Sequence, residues 1–344
     1  MENARALAKS LLGWYRAARR DLPWRKTRDP WLILLSEVML QQTRASVVVP
    51  YYERIAGRFP RPADLAPVLE AEFLALWAGL GYYARARNLW KAARAIAGAD
   101  RFPATYEEIR RLPGVGEYTA AAVASIAFGL PHAVLDGNAV RVLSRLVAER
   151  GDVSGAAARA RLKQTAETLL DRRRPGDFNQ ALMELGATVC LPRNPHCLLC
   201  PWRGPCQARR DGLENELPLK RRTREPVRQS LVLYLIEKGG RVLLRRRGDA
   251  EARLAGFWEL PEARHLPGVR PGRLLGEFRH SIARHDYAVL VYQAPPVRAR
   301  AGWRWRRWSE LAAIPLATAA RKAIELARPA ADGTGIPPSA GRGN

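Results

Sequence analysis

The chain has 344 residues, long enough for two domains of roughly 100–200 residues each. Its 47% apolar and 26% charged residues are ordinary for a globular protein and exclude wholesale disorder. Its 57 Lys and Arg against 33 Asp and Glu leave a net charge of +24, and all but seven of the cations are arginine. A surplus of that size points to a polyanionic partner, nucleic acid before a membrane surface. No stretch approaches the roughly 20 apolar residues of a membrane span, and the N-terminus Met1-Glu2-Asn3-Ala4-Arg5 lacks the basic-then-apolar plan of a secretory signal. A soluble, cytoplasmic protein is expected.

From Ala4 to about Arg210 the apolar residues recur at three- and four-residue steps, broken at clusters such as Phe59-Pro60-Arg61-Pro62. Leu11, Leu12, Trp14 and Tyr15 open one helix, and Trp31 through Val47 predicts a long, strongly apolar one. Glu37 lies inside that apolar run. A carboxyl so placed is costly to ionise and suits a general acid, although the exposed stripe of a helix would carry it equally well. At the end of the run, Gln41 and Gln42 suit hydrogen bonding to base edges. Further helices are predicted over Leu74–Leu80, Leu89–Ile96, Thr119–Phe128, Asn138–Val147 and Ala158–Leu170.

Leu112-Pro113-Gly114-Val115-Gly116-Glu117-Tyr118-Thr119 reads as the tight turn of a helix-hairpin-helix, about 108–128. Glycine permits the close approach and positive φ such a turn needs, and its N–H groups at a helix start can hold a phosphate oxygen. Gly114, Val115 and Gly116 are therefore candidate DNA contacts. In Leu135-Asp136-Gly137-Asn138, Asp136 stands at a helix start, either a plain N-cap or a carboxylate at the mouth of a cleft. All four cysteines fall within seventeen residues as Cys190-x6-Cys197-x2-Cys200-x5-Cys206, among Pro192, Pro195, Pro201 and Pro205. Such a cluster suits one metal centre, and the irregular proline-rich wrapping favours an iron–sulfur cluster over zinc without deciding between them.

Near residue 215 the texture changes. A polar, basic, proline-bounded stretch over 216–229 reads as a linker. Beyond it come strand-like runs at Ser230–Glu237, Val242–Arg246 and Tyr287–Gln293, and a helix from about Trp308 to Leu326. The expected plan is an all-α domain over 1–215, a smaller α+β domain over 230–328, and a disordered tail over 329–344.

These motifs, with Gly79-Leu80-Gly81-Tyr82-Tyr83-Ala84-Arg85-Ala86-Arg87-Asn88, resemble in their order the helix-hairpin-helix DNA glycosylases with an iron–sulfur cluster. Within them the chain looks like the adenine DNA glycosylase (MutY) family, closely over about 10–210 and loosely beyond. The resemblance implies a six-helix-barrel glycosylase domain with one 4Fe-4S cluster on Cys190, Cys197, Cys200 and Cys206, followed by a Nudix-like domain facing the oxidised guanine. It implies a bacterial, monomeric enzyme of base excision repair that binds duplex DNA. Adenine mispaired with 8-oxoguanine or guanine would be flipped out of the stack and hydrolysed from its sugar. Glu37 matches the general acid that protonates N7, and Asp136 the carboxylate that stabilises the oxocarbenium-like sugar, a division of labour parallel to glycoside hydrolysis. Asn138 matches a positioning residue, and Tyr118 one that hydrogen-bonds near Asp136.

Endonuclease III-like relatives carry a lysine where Tyr118 stands, and a phenol cannot form their Schiff base. A monofunctional glycosylase is therefore expected, in preference to a glycosylase/lyase on oxidised pyrimidines or a non-catalytic DNA-binding protein. Gln42 and Tyr82 match wedges in the base stack, and Trp24, Arg25 and Gln180 match positions near the adenine pocket. The second domain lacks the acidic signature of a Nudix hydrolase. Its guanine-reading loop departs from the family in Arg279-His280-Ser281-Ile282-Ala283-Arg284-His285. Either the Ser281 hydroxyl or His285 takes over the contact after a small register change, or discrimination between oxidised and normal guanine is weaker; His280 and Ser281 are the candidate contacts.

Overall fold

The computed structural model describes residues 4–99, 101–220, 225, 227–248, 251, 254–282 and 285–327. The expected tail and the loop residues Ala283 and Arg284 lie outside them. The chain divides into two compact units: Met1–Ala66 with Lys91–Thr223, and Pro67–Trp90 with Arg224–Asn344.

Twelve helices precede the sheet among the described residues: α1 (Ala4–Ala18), α2 (Pro30–Leu40), α3 (Ala45–Arg58), α4 (Pro62–Leu65), α5 (Glu70–Trp77), α6 (Tyr83–Ala97), α7 (Tyr106–Arg110), α8 (Glu117–Phe128), α9 (Gly137–Leu146), α10 (Ala156–Leu169), α11 (Pro175–Thr188) and α12 (Gln207–Arg210). Helix α2 starts where Asp29 accepts the Leu32 N–H at 2.9 Å and Pro30 supplies a fixed φ. It has almost no solvent face, because Trp31 and Ile33 through Met39 are all buried, and it packs on the Ala-rich α8. The helix expected to run to Val47 stops at Leu40. Gln41 leaves the helical region and Gln42 takes φ +58°, so the chain turns before α3. No glycine or proline marks that break, so apolar periodicity alone carries the prediction through it.

Helices α1, α9, α10 and α11 share one core, with Leu11, Leu143, Leu162, Phe178 and Leu182 at 0% exposure. Trp202, from the cysteine loop, enters that core and donates its indole N–H to the Leu7 carbonyl at 2.9 Å. Helix α11 has no counterpart among the helices predicted one by one, and it proves central to the site.

The second unit holds a six-stranded sheet. β1 (Val227–Lys238), β2 (Arg241–Arg246), β3 (Trp258–Glu259), β4 (Leu274–Ile282) and β5 (His285–Ala294) are ordered β3-β2-β1-β5-β4, and β6 (Trp303–Arg307) pairs with β2. β1 and β5 run parallel, with Leu233 opposite Val291, and the remaining pairs are antiparallel. The two-residue period of β1 sends Leu233 and Leu235 to the face covered by α13 (Thr318–Ala327) and Tyr234 and Ile236 to the other. β1 begins at Val227, inside the stretch expected as linker. The C-terminal helix expected from Trp308 is a 3-10 turn, Trp308–Ala313, then α13, because Pro315 interrupts it.

Candidate active site

Two carboxyl groups meet in the helical unit. Glu37 is 5% exposed, held inside α2 by a helix that buries its whole girth. Tyr118, in the first turn of α8, donates its hydroxyl to Glu37 Oε2 at 2.7 Å and not to Asp136. Burial, with a smaller push from the charge of Asp136, raises the Glu37 pKa to about 7, against the opposing Tyr118 hydrogen bond and the charge of Arg25. Near neutral pH this carboxyl can therefore hold a proton and give it up.

Asp136 is both N-cap and functional candidate. Its Oδ1 accepts the Ala139 N–H at 2.7 Å and its Oδ2 the Asn138 side-chain N–H at 3.0 Å. Burial raises its pKa, and the N–H bonds of Ala139 and Asn138 and the Arg141 cation oppose the rise by favouring the ionised form. The donors that cap a helix thus also hold a charge. Gly186 on α11 makes this packing possible: a Cβ there would lie 2.6 Å from Asn138 Cβ.

From α9, two arginines run to the cysteine loop. Arg141 donates to Asn138 Oδ1 at 2.8 Å, the Gly186 carbonyl at 2.6 Å and the Cys190 carbonyl at 2.7 Å. Arg145, only 2% exposed, donates to the carbonyls of Leu191, Pro192 and Leu217 and to Cys190 Sγ at 3.2 Å. The loop is therefore tied to the helix that begins at Asp136.

Cys190, Cys197, Cys200 and Cys206 line one cavity with Arg145, Arg203 and Arg209. Glu214 lines the same cavity. Four thiols closing on one cavity, with guanidinium groups in its wall, can hold a thiolate-ligated, anionic centre.

A family model described as "HhH-GPD superfamily base excision DNA repair protein" matches residues 35–168, the span holding Glu37, Tyr118 and Asp136. Over 93% of its length the chain is 33% identical to the adenine DNA glycosylase of Mus musculus, covering 78% of that protein, and to that of Homo sapiens, covering 74%. The chain belongs to the adenine DNA glycosylase family. A solved structure of a thermostable thymine-DNA glycosylase is 32% identical, with a TM-score of 0.54 over 61% of this chain and 98% of that one. Unlike that structure, the two mammalian glycosylases match well beyond the helical unit.

In this glycosylase the remaining expected residues fall into three groups. The first comprises Trp24, Arg25 and Gln180, of which Arg25 is near enough for its charge to act on Glu37. Trp24 is buried edge-on against Tyr52 at 5.4 Å, and Arg25 stacks over Tyr15, whose hydroxyl donates to Gln180 Oε1 at 3.3 Å. Arg25 also donates to Glu184 Oε2 at 2.7 Å. Glu184 is 0% exposed and further accepts three bonds from Arg20, two of them from its guanidinium and one from its backbone N–H. Burial would raise its pKa, but the Arg20 and Arg25 hydrogen bonds overcome that and hold it at about 2.

The second group is the hairpin and the expected wedges. Gly114 takes φ +75°, Val115 is buried with its N–H on the Leu112 carbonyl, and Gly116 caps α8 with extended backbone. Gln41 donates its Nε2 to Thr119 Oγ1 at 3.2 Å. Exposed Gln42 has φ +58°, and Tyr82, in the other unit, has φ +48° and is 43% exposed over the Arg85 guanidinium. Non-glycine residues in the left-handed region are held there by their surroundings, commonly where function requires it.

The third group is in the sheet. His280 and Ser281 lie on β4 opposite Tyr287 and Asp286 of β5. In this unit Glu259, Glu262 and His265 draw together. Glu259 is already paired with Arg245 and Arg247, Glu262 pairs with Arg264, and the Nδ1 of His265 accepts the Glu262 N–H. Both carboxylates are thus paired with arginines within the protein. No described helix is long and apolar enough to cross a membrane.

Sequence reasoning missed Arg20, Arg141, Arg145, Met183 and Glu184. Arginine is so abundant that none stands out, and Met183 and Glu184 lie on α11. The spacing Gln180-x2-Met183-Glu184-x-Gly186 would place them on neighbouring turns, a signal too short to read alone.

Proposed function

We propose that this chain hydrolyses the N-glycosidic bond of adenine mispaired with 8-oxoguanine or guanine in duplex DNA, as a monomeric, cytoplasmic, monofunctional glycosylase. One observation carries the reading: a buried carboxyl with a pKa of about 7, hydrogen-bonded by the hairpin tyrosine, beside a carboxyl capped by N–H donors. Glu37 gives its proton to N7 of the flipped adenine, so that the base leaves as a neutral molecule. Asp136, ionised, faces the positive charge that develops on the sugar as the bond to N9 breaks. Water then adds to C1′ and gives up a proton to the carboxylate that Glu37 has become, leaving an abasic site. Asn138 and Arg141 keep Asp136 in place, and Tyr118, with no amine, forms no Schiff base.

Cys190, Cys197, Cys200 and Cys206 would hold one 4Fe-4S cluster. When bound, it supplies a closed, four-thiolate structural centre with no open position for substrate. Arg141 and Arg145 make the fold of that loop a condition for the placement of Asp136. The hairpin and the arginine-rich surface bind phosphates, so affinity falls steeply with salt. His280 and Ser281 are the proposed contacts to the oxidised guanine.

The test is single-turnover cleavage of two duplexes, with adenine opposite 8-oxoguanine and opposite guanine, each read before and after alkali. Strand breaks only after alkali are expected. Breaks without alkali would mean lyase activity, and none in either duplex would end the adenine reading. Iron and sulfide analysis of the purified protein tests the cluster.

A further inference from the structure

Tyr118 has one hydroxyl proton and two acceptors within reach. Its Oη lies 2.7 Å from Glu37 Oε2 and 3.1 Å from the thioether Sδ of Met183. A thioether is a weak acceptor and a carboxyl oxygen a strong one, so the proton goes to Glu37. The chain has three methionines. Met1 lies outside the described residues, Met39 is 0% exposed inside α2, and Met183 is partly exposed on α11. Of the two described methionines, the partly exposed one is therefore the one whose sulfur touches the Tyr118 hydroxyl.

We propose that Met183 is an oxidation site whose sulfoxide draws the Tyr118 hydroxyl away from Glu37 and sets a polar oxygen beside the acid. The inference rests on the reading of Glu37 above. The oxidant is hydrogen peroxide or an organic hydroperoxide. An S–O bond forms at Sδ as the O–O bond breaks, the sulfur gives up two electrons, and the peroxide is reduced to water or an alcohol. The product carries a polar oxygen on a sulfur already within hydrogen-bond reach of the phenol. A weak second acceptor becomes a strong one, and an apolar wall of the site becomes polar. Sulfoxide reductases reverse the change, so the device is a switch and not only a lesion.

The full chain is treated with hydrogen peroxide, and oxygen addition at each methionine is followed by peptide mass spectrometry. Adenine excision and the Tyr118 ring-carbon NMR signal, assigned with Tyr118→Phe, are followed in parallel. Oxidation at Met183 well ahead of Met39 is expected, with a roughly tenfold fall in single-turnover rate that Tyr118→Phe, which removes only the phenol bond, does not reproduce. Methionine sulfoxide reductase should restore it. In Met183→Leu, whatever rate the variant starts from should resist peroxide, and the Tyr118 signal should stay fixed. Loss of activity with Met183 still reduced, or equal peroxide sensitivity in Met183→Leu, would overturn the proposal and assign the loss to the cysteines. Should the untreated protein excise no adenine, the reading of Glu37 fails. The mass and NMR signals would still report whether Met183 oxidises and takes the Tyr118 proton.

Discussion

Glu37 and Glu184 are the same residue type, both on helices of one unit and both nearly sealed from solvent, at 5% and 0% exposure. Yet burial and the Asp136 charge raise one to about 7, while hydrogen bonds from Arg20 and Arg25 hold the other at about 2. The difference is in the donors. Glu37 receives one neutral phenol, whereas Glu184 receives two guanidinium groups. Burial alone makes an acid; burial with two cations makes a fixed anion. One helical unit thus keeps a carboxyl that holds its proton near neutral pH and a carboxylate that stays charged.

The largest effect belongs to Glu37→Gln, which removes the carboxyl proton and keeps the shape. Excision should fall by roughly 10²–10⁴-fold, with DNA affinity in a gel-shift assay unchanged. The same variant reads the stability side. A carboxyl raised from 4.5 to about 7 in the fold contributes stability at low pH that is lost as pH rises from about 4.5 to about 7. Urea denaturation should therefore find Glu37→Gln more stable than the parent at pH 8, and the gain should vanish at pH 4. A gain that persists at pH 4 would mean that ionisation is not its origin.

Next in size is Glu184→Gln. It leaves the Arg25 guanidinium, with its side chain 10% exposed, without its counter-charge, and should destabilise by about 3 kcal/mol at neutral pH. Here the sign is opposite. A carboxyl lowered from 4.5 to about 2 stabilises above about 4.5 and loses that contribution as pH falls toward 2. The penalty of the substitution should shrink over the same interval. An unchanged urea midpoint at neutral pH would show that Arg20 and Arg25 find other partners.

The smallest effect belongs to Tyr118→Phe. The phenol bond opposes the rise in the Glu37 pKa, so without it the pH at which excision falls off should move upward, by about one unit for one hydrogen bond. A downward shift would mean that Tyr118 acts on Asp136 instead.

Much of this site was legible in the chain. An isolated Glu37 in an apolar run, the hairpin glycines, Asp136 before a helix and the clustered cysteines are local patterns, and local patterns survive without knowledge of the fold. The turn at Gln42 was not legible, because a positive φ on a glutamine is imposed by its surroundings and has no composition signal. Glu184 was invisible for the same reason. Nothing in Leu182-Met183-Glu184-Leu185 says that Arg20 and Arg25, some 160 residues earlier, close on it.

Composition and local patterns alone set the chemical inventory: a cationic chain of two domains, with a carboxyl inside an apolar run, a carboxyl at a helix start, a phenol in the hairpin and four thiols in one loop. Only the tertiary structure decided what those groups are at neutral pH and what they touch. Protonation depends on which donors and charges arrive from distant segments once water has been excluded. Gly186 against Asn138, Arg141 between Asn138 and Cys190, and Met183 against Tyr118 are such arrivals, and each exists because α11 packs against α8 and α9.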